Sequence, residues 1–207
     1  MTKSKHKTNK RNVFFFSLVV LVILSSIAYS LFSSFSNSLP VLGEPGHQVG
    51  SFSFTDQDGN TVTDKTVQGK IRVAEYFFTT CKSICPIMNR NMQQVQDAFR
   101  ERNDVVILSH TVNPSTDSVP VLKKYAEQMH ALPGKWEFLT GTKISLYQMA
   151  EHDYLLSADS TVESNEEDAF IHTQYVALVD RQNHIRGFYE ATDKKQIEKL
   201  IADIKKL

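Results

Sequence analysis

Apolar and amphipathic stretches alternate along this chain, and two of them follow one another directly. The segment IRVAEYFF, residues 71–78, is apolar and rich in β-branched and aromatic side chains, which predicts a buried central strand. Downstream, Met88, Met92, Val95 and Phe99 recur at helical spacing and predict a helix of about four turns with one buried face. The pattern therefore predicts a strand that leads through a short loop into a helix.

The chain from residue 51 onward repeats this alternation. Hairpins are predicted around Asp58-Gly59 and around Asp180–Asn183. The other predicted elements are strands at 104–112 and within 135–141, helices at 116–129 and 142–151, and a closing helix with Ile197, Leu200, Ile201 and Ile204 on its buried face and a cap near Asp193. This order indicates an α/β fold with a mixed sheet flanked by helices.

The amino-terminal segment has a different character. Residues 1–12 carry five basic side chains and no acid, and residues 13–32 contain no charge. An uncharged helix of that length spans a bilayer core of roughly 30 Å, so it predicts an uncleaved transmembrane anchor with its amino end inside. A cleaved signal peptide is the alternative, although its apolar region usually has about 7–15 residues. Residues 33–46, rich in Ser, Gly and Pro, predict a linker before a domain at 47–207.

This topology predicts a single-pass inner-membrane protein with its soluble domain in the periplasm, where disulfides form and extracytoplasmic metals are accessible. Without the five basic residues of the tail, 18 basic residues remain against 23 acidic ones. A mildly acidic body argues against binding to nucleic acid. Residues 151–168 contain seven acids and no basic residue, which is typical either of a docking or metal-attracting loop or of a solvated insertion.

Cys81 and Cys85 are the only cysteines in the chain, and they follow the predicted central strand at its carboxyl end. Open α/β sheets place functional sites at that end. Pro86 suits a first helical position, which would put Cys85 at or beside the N-cap, where the helix dipole favours a thiolate. Redox pairs usually have two intervening residues, whereas this pair has three. A structural disulfide, a redox couple and a pair of soft metal ligands all remain open.

Several motifs together resemble the Sco/SenC family of copper chaperones. YFFTTCKSICPIM is similar to the family's Cys-x-x-x-Cys-Pro segment, and HTVNPSTDSVPVLKKYAEQM, FLTGT and FIHTQYVALVDRQNHIRGFY are similar to its later motifs, so the resemblance runs through most of residues 47–190. It implies a thioredoxin-like fold that binds one copper ion, copper(I) or copper(II), through Cys81, Cys85 and His172. It also implies a role in delivering copper to, or reducing the thiols of, the binuclear copper site of cytochrome c oxidase, or of another extracytoplasmic copper or thiol protein.

The topology is consistent with His172 as the third ligand. If strand 172–179 runs antiparallel to strand 71–78, its first residue lies beside the cysteine loop. Of the other histidines, His110 near a strand end is the main rival. Surface roles or a place on the inner side of the anchor are expected for the remaining five, which are His6, His47, His130, His152 and His184.

The sequence departs from the family pattern at two sites. Lys82-Ser83 stands where the family often has Pro-Asp or Pro-Glu, and a cation there disfavours a metal ion while it stabilises thiolate. Asn113 replaces an aspartate before Pro114, although Asp117 remains. Because of these departures, two alternatives to a non-enzymatic chaperone remain open. The first is a metal-independent thiol–disulfide oxidoreductase or peroxidase-like enzyme, and the second is a passive binding module with a structural disulfide.

Overall fold

The computed structural model describes residue 14 and residues 16–27, 38–156 and 173–207. Residues 16–27 are helical, and no helix within the described ranges is long and apolar enough to cross a membrane. The predicted basic tail, the ends of the predicted anchor, most of the acidic stretch and His172 lie outside the described residues. The predicted linker, residues 33–46, is described from residue 38 onward. Within it, Leu42 forms a β-bridge with Ile185 of the sheet.

From residue 39 onward, the described residues form a domain around a five-stranded mixed sheet, and the mixed sheet is as the sequence predicts. The sheet contains β3 Ile71–Phe77, β4 Val105–Thr111, β5 Trp136–Leu139, β6 Tyr175–Val179 and β7 Ile185–Glu190. Two shorter strands, β1 Ser53–Thr55 and β2 Thr61–Thr63, form a separate antiparallel hairpin. The sheet order is β5-β4-β3-β6-β7. Strands β3, β4 and β5 are parallel, whereas β6 is antiparallel to both β3 and β7.

Strand alternation divides the core between the two faces of the sheet. Every residue of β3 is buried. Val73 and Phe77 face the first core, whereas Ala74 and Tyr76 face the second. Because side chains alternate, Glu75 points to the same side as Val73 and Phe77. The face on which a polar residue of this strand lies therefore decides which helices it meets.

Within residues 38–156 and 173–207, four α-helices flank the sheet, and their bounds are α1 Cys85–Ala98, α2 Val119–Gln128, α3 Lys143–Gln148 and α4 Lys194–Ile204. Met88, Met92 and Val95 of α1 are fully buried in the first core, as their spacing predicts. The Asp193 side chain accepts a hydrogen bond from the Lys195 backbone at the start of α4, which confirms the predicted cap.

The predicted helix at 142–151 divides into two parts. After α3 the chain makes a π-helical turn over Met149–Asp153, which accommodates an extra residue in the turn. Met149, Ala150 and Tyr154 are all buried in the second core. Apolar spacing alone does not distinguish this widened turn from a continuing α-helix, because both bury one face.

Candidate metal and thiol-redox site

The two cysteines lie at the connection between the central strand β3 and helix α1: Cys81 is in the loop, and Cys85 is at the start of the helix. Strand β3 ends at Phe77, and the Cys81 backbone N–H donates to the Phe78 carbonyl at 3.2 Å. Helix α1 begins at Cys85, with Pro86 in its first turn, where its missing N–H leaves no intrahelical bond unmade. Cys85 is thus itself the first helical residue, and the predicted boundary is correct to within one position.

The environments of the two thiols differ sharply. Both cysteines are free; Cys81 is partly exposed, whereas Cys85 is buried. Although burial acts to raise the pKa of Cys81, hydrogen bonds from the Cys85 thiol and backbone and from Ser83 outweigh it and lower that pKa. Burial, reinforced by the hydrogen bond to Cys81, raises the pKa of Cys85 well above its ordinary value. The prediction that the helix end favours a thiolate at Cys85 is therefore wrong, because burial outweighs the helix dipole.

This asymmetry determines what the pair can do chemically. Cys81 offers an accessible sulfur with thiolate character, which is the reactive form of cysteine, and the protonated Cys85 stabilises it. Once both sulfurs are deprotonated, they form two soft donors on one loop. The arrangement therefore supports thiol–disulfide exchange with Cys81 as the attacking group, and equally two-sulfur ligation of a soft metal ion.

Asp117 fastens the cysteine loop to the sheet. It is fully buried and accepts hydrogen bonds from the Thr79 backbone and hydroxyl and from the Thr111 hydroxyl. Thr79 lies at the beginning of the loop and Thr111 is the last residue of β4. Asn113, by contrast, makes local bonds, in which its N–H donates to Thr111 and its side chain accepts from Ser115. Asp117 is thus the carboxylate that holds the loop in place.

Glu75 was not singled out by the sequence, yet it influences this site. The side chain is fully buried on the Cys85 face, where Oε1 accepts from the Ser109 hydroxyl and Oε2 has no hydrogen bond among the described residues. Burial raises the pKa of Glu75 to about 7, and its negative charge contributes to the raised pKa of Cys85. One acid inside the apolar run IRVAEYFF was the available signal.

His110 lies on the wrong side of the sheet to join the cysteines. Its ring stacks on Tyr76 and meets Phe54 and Tyr154 edge-on, all within the second core. Cys85 belongs to the first core, so the sheet itself separates the two side chains. The rival ligand considered from the sequence is therefore excluded by strand alternation.

His172 lies outside the described residues, so its predicted role as a ligand stays a prediction. The antiparallel pairing on which that prediction depends is confirmed, because Arg72 pairs with Val179 and Ala74 with Ala177. The amino end of β6 consequently lies at the end of β3 that continues toward Cys81. Within the described ranges, no group of three His, Cys, Asp or Glu side chains is placed to hold a metal ion.

Three of the other histidines are described away from the cysteines. His47 contacts the Asp153 carbonyl at 2.9 Å, and His184 lies 3.5 Å from the Asp180 carboxylate in the β6–β7 turn. His152 is exposed in the π-helical turn. The exposed position of His152 agrees with its predicted surface role, whereas His47 and His184 are half-buried.

A mixed sheet with a Cys-x-x-x-Cys-Pro loop between its central strand and the next helix defines a thioredoxin-like thiol protein. The sequence profile of the SCO1/SenC family matches residues 42–207. A SCO1 protein homolog of Bacillus subtilis (strain 168) is 32% identical over 161 residues, which cover 77% of this chain and 82% of that protein. The chain belongs to the SCO1/SenC family.

Two solved structures share this fold. BsSco is a member of the Sco family of cytochrome c oxidase assembly proteins, and a disulfide switch has been identified in it. It superimposes with a TM-score of 0.65 at 28% identity, over 80% of this chain and 96% of that one. ScoI of Bradyrhizobium japonicum, solved with copper bound, gives a TM-score of 0.61 at 24% identity over 76% and 98%. At the latter identity the likeness concerns the fold.

Proposed function

We propose that this protein is a membrane-anchored copper-binding assembly factor for the binuclear copper site of cytochrome c oxidase. Copper is its cargo, held by Cys81, Cys85 and His172 and transferred to a partner by ligand exchange. The observation that carries the proposal is the pair of free thiols on one loop, at the carboxyl end of the central strand, in a member of the SCO1/SenC family. Residues 13–32 would anchor the domain from the inner membrane, facing the periplasm.

The donor set fits copper by its chemistry. Two thiolates and one imidazole form a trigonal site that is suitable for copper, whereas a structural zinc site requires a fourth ligand. Cys81 is accessible and Cys85 is buried beside it, so one ligand is open to exchange while the other is shielded from competing thiols. The ammonium group of Lys82 is exposed next to Cys81 and repels a metal cation at the edge of the site. This repulsion favours fast release of copper over tight binding.

The test is copper loading of the reduced full-length chain, beside His172→Ala and a matched control, His152→Ala, whose side chain is exposed. We expect one copper per chain and a thiolate-to-copper(II) charge-transfer band in the wild type and in the control. In His172→Ala we expect that band to be lost or shifted. Wild-type protein that takes up no stoichiometric copper while Cys81 and Cys85 oxidise readily to a disulfide would overturn the proposal.

A second candidate, a thiol–disulfide reductase of a partner protein, is favoured by the asymmetric pKa values of the two cysteines. In that role the Cys81 thiolate attacks a partner disulfide and releases one partner thiolate. Cys85 then loses its proton and attacks Cys81, which releases the second partner thiolate. Two electrons pass to the partner, and a Cys81–Cys85 disulfide remains. This role predicts that His172→Ala leaves the exchange rate unchanged, and measurement of both activities in one variant separates the candidates.

A further inference from the structure

A groove opens on the molecular surface beside the accessible cysteine. Its volume is about 320 Å³, at the lower end of the range for ligand pockets. Helices α1 and α2 form its walls, and the sulfur-bearing loop closes one end. The lining residues are Cys81, Pro86, Arg90, Gln93, Tyr125 and Met129.

The walls of this groove are fixed by hydrogen bonds and stacking. The Gln93 side chain of α1 donates to the Met129 carbonyl at the end of α2, at 2.8 Å. The Tyr125 hydroxyl accepts from the Asn89 side chain at 2.6 Å, and the Tyr125 ring stacks on Phe77. Because both helices are tied together, the groove exists before any partner arrives, and binding requires little ordering of the protein.

The groove combines apolar surface with the positive charge of Arg90. Met129, Tyr125 and Pro86 supply the apolar part. Arg90 is exposed, and it has no hydrogen-bond acceptor or ion-pair partner within the described part of the chain. The five other arginines of that part each donate to an oxygen, and these are Arg72, Arg100, Arg102, Arg181 and Arg186.

The cysteine loop adds a second cation. Lys82 directly follows Cys81, is exposed, and has no ion-pair partner among the described residues. Among the described residues, no acidic side chain lines the groove. A partner segment that reaches Cys81 therefore meets positive charge at both Lys82 and Arg90, and charge complementarity selects for acids in that segment.

We propose that this groove docks a short acidic segment of a partner protein, placing the partner's cysteine at Cys81, an apolar side chain against Met129 and Tyr125, and a carboxylate at Arg90. The proposal deepens the proposed function, on which it rests, because it specifies the chemistry of the partner chain that receives copper or electrons. Arg90 is well suited to this part, since its planar guanidinium binds a carboxylate through two parallel hydrogen bonds.

The experiment uses the reduced full-length chain and two fluorescent peptides of identical length. Both carry leucine beside a central serine, which replaces cysteine so that no thiol chemistry occurs; one is flanked by glutamates and the other by lysines. We expect the wild type to bind the acidic peptide at least about fivefold more tightly than the basic one at moderate salt, with the preference decreasing as salt rises.

Two charge-reversal variants separate a local contact from the general field of the protein. Arg90→Glu should abolish or invert the preference, and the milder Arg90→Gln should reduce it. Arg100→Glu is the matched control, because Arg100 is exposed near the end of the same helix and the net charge changes equally. An equal loss of preference in Arg90→Glu and Arg100→Glu, or no preference in the wild type, would overturn the docking proposal.

A parallel measurement distinguishes failure of the groove from failure of the proposed function. The same variants react with a small neutral disulfide and are loaded with copper, and neither process requires a docked segment. Selective peptide binding without copper uptake or disulfide exchange would support the groove and contradict the proposed function. Normal copper uptake and exchange without peptide selectivity would support the function and contradict the groove.

Discussion

Glu75 and His110 lie on neighbouring strands of the central sheet, and both are fully buried, yet their surroundings have little in common. Glu75 faces α1 and α2, where the Ser109 hydroxyl donates to it and its charge influences Cys85 and Tyr125. His110 faces the opposite core, among aromatic rings, and neither ring nitrogen has a hydrogen bond within the described residues. Only one of these two titratable groups can therefore act on the thiol site.

Burial shifts both pKa values toward the neutral form, which gives the two groups opposite effects on stability. Burial raises the pKa of Glu75 from 4.5 to about 7, so between those values the folded state holds a proton that the unfolded state releases. Burial lowers the pKa of His110 from 6.5 to about 4, so the unfolded state binds the additional proton there. Stability falls with rising pH on account of Glu75 and rises with it on account of His110.

The largest expected effect is therefore a change in the pH dependence of unfolding. The two contributions oppose each other between about pH 4.5 and 6.5, and each is on the order of 3 kcal/mol across its full range. In Glu75→Gln, the free energy of unfolding should rise more steeply with pH over this interval, because His110 then acts alone. In His110→Phe, it should fall as pH rises toward 7, because Glu75 then acts alone.

Chemical denaturation of the full chain at several pH values between 4 and 8 measures both slopes. The wild type should lie between the two variants. The neighbouring titratable groups stay in place in both variants; these are Cys85 and Tyr125 near Glu75, and Tyr76 and Tyr154 near His110. Parallel curves for all three proteins would show that neither buried group titrates as its environment indicates.

The sequence predicted much of this sheet but not this difference. The apolar run at 71–78 identified β3, and the spacing of Met88, Met92 and Val95 identified α1, because burial imposes those periods directly. The face to which Glu75 points depends on the register and on which helices cover each side, and both are tertiary properties. For the same reason, the sequence alone leaves His110 as a candidate ligand, although the sheet separates it from the cysteines.

The site itself was predicted in part. A Cys-x-x-x-Cys-Pro segment after a strand indicates its own position, because the proline favours the first turn of a helix and the strand before it ends at the carboxyl side of the sheet. The unequal pKa values of the two thiols could not be predicted, because burial of Cys85 arises from packing against distant strands. The groove beside Cys81 likewise depends on α2, which is separated from the cysteines by a whole strand.

A smaller effect is expected from His110→Phe at neutral pH, where the native imidazole carries no charge. Phenylalanine keeps an aromatic ring against Tyr76 and Phe54 and removes two buried nitrogens that have no partner among the described residues. We expect the free energy of unfolding at pH 7.5 to increase by about 1 kcal/mol. A loss of stability would instead indicate that the nitrogens bind buried water, or that the pocket is too small for the larger ring.

The smallest expected effect concerns the thiol site alone. Above pH 7 Glu75 is largely ionised, and its negative charge raises the pKa of Cys85, after the larger effects of burial and of the hydrogen bond to Cys81. In a Cys81→Ser background, Glu75→Gln should therefore increase the alkylation rate of Cys85 by neutral iodoacetamide at pH 8.5 roughly threefold. His110→Phe is the control and should leave the rate unchanged, because the sheet separates it from Cys85. An equal acceleration in both variants would mean that altered opening of the fold, rather than the carboxylate charge, controls access to the thiol.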